Sequence, residues 1–154
     1  MDPSPHCIAH ELARQLAVDD KLLSSAVPLF GASPLFYLDD DDPEDHAPHI
    51  VVTPDTSDEG IGTDGDIKIR LTASAHAAQG EDIATPDGGT PGLMIWPSAA
   101  KFDIFAREVW EAVKRANPGA ILDGHTAEWS FGDFYPLHFV VYTLNYRTIQ
   151  AFGD

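Results

Sequence analysis

The sequence predicts an α+β fold: a mostly antiparallel sheet with two helices packed on one face, in the order α-β-β-α-β-β. Three observations lead there. Two segments, Ile8 to Leu16 and Phe102 to Val113, repeat apolar residues at helical spacing. A third, Asp66 to Ala73, alternates apolar and polar residues without a break. The C-terminal part reads as a hairpin whose second strand, Tyr135 to Ile149 (YPLHFVVYTLNYRTI), is unusually long and rich in β-branched and aromatic residues.

Taken in order, Ser4-Pro5 supplies an N-cap and a first helical residue. Behind them Ile8, Leu12 and Leu16, with Ala9 and Ala13, line one face. Asp19 caps a further short turn carrying Leu22 and Leu23, and Pro28, Gly31 and Pro34 then break the helical pattern. Leu35 to Leu38 suits a short strand, and His49 to Thr53, an apolar run between prolines, a second one. In the next strand Ile67, Ile69, Leu71 and Ala73 face a core, while Lys68, Arg70 and Thr72 face out. Ser98 is the expected cap of the second helix, whose stripe runs Phe102, Phe105, Ala106, Val109, Trp110, Val113. Trp96 is placed to staple over that helix. Lys114 and Arg115 suit its negative C-terminal end, and Asn117-Pro118-Gly119 stops it. Ile121 to Phe131 then pairs with the long strand through a two-residue turn at Gly132-Asp133.

The chain has 154 residues, reads as a single domain, and is 44% apolar, enough to bury a core without staples. Acidic loops fall at 39–48 and 55–66, and a loop rich in Gly and Pro at 80–92. No stretch reaches the roughly 18–20 consecutive apolar residues that a bilayer demands, and the first residues do not pair a charged n-region with an apolar h-region, so no secretory leader is expected. The single cysteine, Cys7, fits a reducing compartment. These features suit a protein assembled in a cytoplasm, without membrane contact.

Charge is the outlying quantity. Nine basic residues face 25 acidic ones, for a net −16. Residues 1–66 hold 15 acids and 2 bases, so the excess is concentrated in one half. Attractive binding to a nucleic-acid backbone is disfavoured, because it depends on Lys and Arg displacing condensed counterions. Asp39, Asp40, Asp41, Asp42, Glu44 and Asp45 crowd one loop. The run reads as a solvated, self-repelling loop, with a divalent cation or a basic partner as the functional alternative. Asp55 to Asp66 weakly echoes a calcium loop, with Asp55, Ser57, Glu59, Gly60 and Asp66 at the template spacing. An Asp stands where that template wants a bidentate Glu, and the flanks are strands.

His6 and His10 have the i, i+4 spacing of helical metal pairs, beside Cys7, but no second cluster completes a zinc site. His46, His49, His76, His125 and His138 stand apart and read as strand, loop or turn residues. No nucleophile elbow, P-loop, HExxH, CxxC pair or dinucleotide fingerprint appears. The sequence therefore assigns no catalytic, cofactor-binding or metal-binding residue and no cofactor. Trp129 and Tyr135, near the hairpin tip, suit either a protein interface or the core.

The long strand carries the functional expectation. At about 3.3 Å per residue it spans roughly 45 Å, more than twice a usual strand. His138, Val140, Tyr142, Leu144 and Tyr146 share one face, and Leu137, Phe139 and Val141 begin the other. Such a strand is expected to outgrow its own sheet, with Val140, Tyr142, Leu144, Tyr146 and Ile149 forming a contact between subunits.

In pattern, nearly the whole chain resembles the tail terminator (tail completion, minor tail) proteins of long-tailed bacteriophages. The likeness rests on the Ile8–Leu16 helix followed by Leu22-Leu23, and on the strand after Pro48. The Ile67–Ala73 strand, the Phe102–Val113 helix and the hairpin ending YTLNYRTI complete it. That resemblance implies a virion structural protein, not an enzyme, that forms a hexameric ring on the tail tube. It would halt tube polymerisation and offer a surface for head attachment. Its partners would be the tail tube protein and a head-completion or neck protein, at the tail–neck junction of the virion. DNA would pass through without specific binding, repelled by a lumen lined by Asp39 to Asp45. The alternatives are another head–tail joining adaptor and a small acidic protein that binds metal or mimics DNA.

Overall fold

The computed structural model describes residues 4–40, 47–55, 66–76, 84–134 and 137–148. Two helices, α1 (Pro5–Ala17) and α2 (Asp20–Phe30), precede five strands: β1 (Leu35–Leu38), β2 (His49–Pro54), β3 (Asp66–His76), β4 (Thr85–Pro86) and β5 (Met94–Ile95). A long helix, α3 (Pro97–Arg115), and two long strands, β6 (Ala120–Phe134) and β7 (Leu137–Thr148), complete the described chain. The class is α+β with a mostly antiparallel five-stranded sheet, ordered β1-β2-β3-β7-β6, in which only β1 and β2 run parallel. The expected count of two helices is corrected to three, and the order gains a second helix after the first. A separate two-stranded ribbon, β4–β5, precedes α3.

α1 starts where the sequence places it. The Ser4 side chain accepts a hydrogen bond from the Cys7 N–H at 3.1 Å, and Ile8, Ala9, Leu12, Ala13 and Leu16 are all buried. Asp19 caps α2 by accepting from the Leu22 N–H at 3.1 Å, and the helix runs a full 11 residues. Pro28 was expected to end it and does not. A proline in the last turn removes a single donor, while the extra residues bring Phe30 edge-to-face onto Phe105 of α3, with ring centroids 5.4 Å apart. Gly31 is the true stop. It adopts φ 72°, the left-handed conformation glycine accepts without strain, and its N–H donates to the Val27 carbonyl at 2.8 Å.

Ser98 does not cap α3. Trp96 holds the cap position without a side-chain hydrogen bond, and Pro97 follows as the first helical residue. The Ser98 hydroxyl is instead buried 3.0 Å from Nε2 of His138 on β7. The turn at Gly132-Asp133 is also corrected. β6 continues through those residues to Phe134, which pairs with Leu137, and a register shift between Ser130 and Phe134 absorbs the extra length.

The core lies between the sheet and the helices. α1 covers β1, β2 and β3, α3 covers β3 and β7, and α2 packs on α3. From the sheet come Ile50, Val52, Ile67, Ile69, Leu71, Val140, Leu144 and Tyr146; from α3 come Phe102, Phe105, Val109 and Val113, all buried. Each large side chain so buried contributes about 1.5–3 kcal/mol against conformational entropy.

Two polar ties lock the helices at their ends. Arg115 of α3 donates twice to the Asp19 carboxylate, at 2.8 and 3.0 Å, across 96 positions of sequence. Gln15 of α1 donates to the Asn117 carbonyl at 2.7 Å and accepts from the Asn117 N–H at 2.8 Å. The Arg115 guanidinium, helped by the Leu22 N–H, holds the Asp19 carboxyl below the usual aspartate range. A carboxyl lowered on folding adds stability above its ordinary value of 3.8 and loses it as pH falls through the folded value. Asp19→Ala is therefore expected to cost about 1–2 kcal/mol at pH 7, most of it the lost cap. The difference between variant and parent should shrink in strongly acidic solution. Urea titrations at the two pH values check this; equal stabilities at pH 7 would refute the tie.

Candidate interaction surface

β7, the strand expected to join subunits, is the most enclosed in the sheet. It pairs along its length with β3 on one edge and β6 on the other, so neither edge is open over the described residues. Val140, Tyr142, Leu144 and Tyr146 are buried beneath this chain's own helices, at 4% exposure or less. The expectation that these four form an intersubunit contact is corrected: their side chains build the monomer's core. Ile149 lies outside the described residues, as do Tyr135 and Pro136. The physical reason is length matching. β6 is longer than β7, and β3 accompanies it for 11 residues, so the strand does not outgrow its sheet.

The acidic loop is described only at its ends. Asp39 sits at φ 79°, an unusual conformation outside glycine that Asp tolerates better than most residues. Its backbone N–H donates to the Val52 carbonyl at 2.9 Å, and its carboxylate lies 3.4 Å from Nε2 of His6. Asp40 is exposed. Asp41, Asp42, Glu44 and Asp45 lie outside the described residues, as do residues 56–65 of the second acidic loop. Thus His6 faces Asp39 across an exposed contact. Among the described residues no three His, Cys, Asp or Glu side chains converge in metal-binding fashion. Nor is any described helix long and apolar enough to cross a membrane.

Cations are consumed internally. Among the described residues, ion pairs join Arg14 to Glu11, Arg70 to Asp55, Arg107 to Asp103, Lys114 to Glu111, Arg115 to Asp19 and Arg147 to Asp123. Hydrogen bonds from Arg14 and then Gln15 hold the exposed Glu11 down to about 2. Each of these cations has an acidic neighbour within its own chain.

What the sequence did not disclose is the far edge of the sheet. Among the described residues β6 pairs with β7 alone, so its other edge is open. Register shifts fall at Leu122/Gly124 and Ser130/Phe134, leaving Gly124 to Ser130 as an unbroken ladder between them. This stretch spans roughly 23 Å. Edge strands in monomers are usually blunted by Pro, charged side chains or bulges; between its two register shifts this stretch has a single charge, Glu128, and no Pro. On the helix side of the ladder, His125, Ala127 and Trp129 overhang α3 and stay exposed, Trp129 at 41%. Trp110 of α3 packs on His125 with ring centroids 4.1 Å apart and stacks on Tyr142 at 5.4 Å. Trp129 meets Tyr142 edge-on at 6.3 Å and Phe102 at 6.4 Å. Burial, with the Asp103 carboxylate second, pushes the Tyr142 hydroxyl up to about 12. The result is a partly exposed aromatic shelf beside an open strand edge.

A second exposed surface lies in the segment just before α3. Leu93, Met94, Ile95 and Trp96 are 47, 53, 36 and 49% exposed, four large apolar side chains in succession. Trp96 was expected as a staple over α3 and remains half exposed. Just after this segment Ser98 makes its buried contact with His138, over which Phe102 stacks at 6.0 Å. Both partners are at 3% exposure or less, so the pair acts as a polar tie within the core.

The chain matches no family model and no curated protein sequence. Its function is therefore argued from the molecule.

The polar tie makes a measurable claim. Ser98→Ala takes the hydroxyl from a buried imidazole nitrogen and should cost about 1–3 kcal/mol. Tyr146→Phe removes a buried hydroxyl that has no hydrogen-bond partner among the described residues, and should leave stability equal or higher. Thermal and urea unfolding of the two variants compare them; a larger loss for Tyr146→Phe would contradict this account of the core.

Proposed function

We propose that this protein is a structural assembly factor whose copies join through the outer edge of β6 into a ring, in the manner of a phage tail terminator. The ring would close the end of a tail tube, stop its growth and present a new face to a head-completion or neck protein. The observation that supports this most is the β6 stretch Gly124 to Ser130, which pairs with β7 alone among the described residues and carries the exposed Trp129. When two different surfaces of one chain meet, contacts run head to tail, and a suitable rotation closes them into a ring.

Electrostatics fits a conduit for DNA. A ring of such chains multiplies a charge of −16 per copy, and the paired cations leave few sites to hold phosphates. Carboxylates facing a channel repel DNA in transit. The acidic run Asp39 to Asp45 is the candidate lining. The same charge opposes assembly, so association should strengthen with salt.

Sedimentation velocity across a salt series tests the reading. The expected result is a multimer whose population grows as ionic strength rises from about 0.01 M, where the Debye length is near 30 Å, to about 0.15 M, where it is near 8 Å. Negative-stain images of the multimer should show rings. A species that stays monomeric at every salt and protein concentration overturns the proposal.

A further inference from the structure

We infer that the β4–β5 ribbon is a docking arm, received by a second copy of this chain on the open edge of β6. This rests on the ring reading and names the two surfaces that would meet.

The arm is a built feature of the fold. Thr85 pairs with Ile95 and Pro86 with Met94. The Asp87 N–H donates to the Leu93 carbonyl at 2.7 Å, and the Leu93 N–H to the Thr90 carbonyl at 3.2 Å. Gly92 turns the chain at φ 80°. Yet among the described residues the ribbon makes no sizeable contact with any other strand or helix. A two-stranded ribbon is marginal alone in water and gains stability from a third strand or a packed face. Four consecutive large apolar side chains, Leu93 to Trp96, are exposed there. Exposed apolar clusters of this kind mark association surfaces.

Charge selects the occupant. Residues 84–96 contain one acid, Asp87, and no base. Two copies at −16 each repel over most approaches, and a nearly neutral arm is where an equally acidic chain can come close. Along Gly124 to Glu128 the receiving edge has no second strand beside it among the described residues. A strand added there would set alternate side chains on the shelf of His125, Ala127 and Trp129, by the logic of β-strand addition. Arm and edge are different surfaces, so the contact is heterologous and propagates until it closes.

The test uses two full-length variants at exposed positions, Met94→Glu on the arm and Ala127→Glu on the shelf. Trp129 is left intact because it packs on Phe102. Unchanged melting temperatures and circular dichroism establish that each variant folds. Each alone should weaken self-association by about thirtyfold or more in sedimentation velocity. Mixed in equal amounts, the intact edge of one variant receives the intact arm of the other, giving a heterodimer and nothing larger. If the parent assembles and Met94→Glu assembles equally well, the arm is not the contact, while the ring reading stands. If both variants are impaired yet the mixture forms no heterodimer, the arm does not dock on β6 and the inference fails. A parent that never assembles removes the inference and the ring reading together.

Discussion

The structure hangs on one row of side chains. His138, Val140, Tyr142, Leu144 and Tyr146 occupy alternate positions of β7 and all point under the helices. Because strand side chains repeat with a period of two, a slip of one residue would turn the whole row to the outer face. Pairing with β3 on one side and β6 on the other fixes the register. The α3 stripe of Phe102, Phe105, Val109 and Val113 covers β3 and β7 from above. Even the polar member of the row is matched, since His138 meets Ser98 at the start of α3. The tie lies just beyond Trp96, the last residue of the exposed segment ahead of α3.

The same row shows what sequence patterns carry. Spacing alone marked α1, α3, β3 and β7, because an amphipathic period reflects a local fact, namely which face is buried. Position within the sheet is a global fact, and no local pattern encodes it. A long apolar strand looks equally adhesive whether its edges are taken or free. Among the described residues β7 is paired on both edges and β6 on one, and β6 carries the weaker apolar signal: Gly124, His125, Thr126 and Glu128 dilute it. The open edge was hidden for that reason.

Local chemistry misled in three places, each time because a distant partner prevailed. Ser98 has the composition of a cap, but a histidine 40 positions away takes its hydroxyl. Pro28 should break a helix, but Phe30 gains an aromatic partner on α3 by continuing. Gly132-Asp133 has the composition of a hairpin turn, yet the strand runs on and a register shift accommodates it. The capping of α2 by Asp19 was legible. Its second role was not, since Arg115 lies 96 positions away and only the packed helices bring them together.

Like charge constrains how such a chain can associate. With nine bases against 25 acids, and several of the bases held in ion pairs within the fold, a neighbouring copy would meet a surface with far more carboxylates than cations. Salt screens the long-range part of that repulsion but leaves close approach governed by what lies at the point of contact. Surfaces without charge then matter more than their area suggests. The segment Leu93 to Trp96 is apolar and uncharged, and the ladder from Gly124 to Ser130 offers backbone hydrogen bonds that are indifferent to charge. An acidic exterior thereby becomes a source of specificity. It disfavours every mutual orientation of two copies except those that bring the neutral parts together.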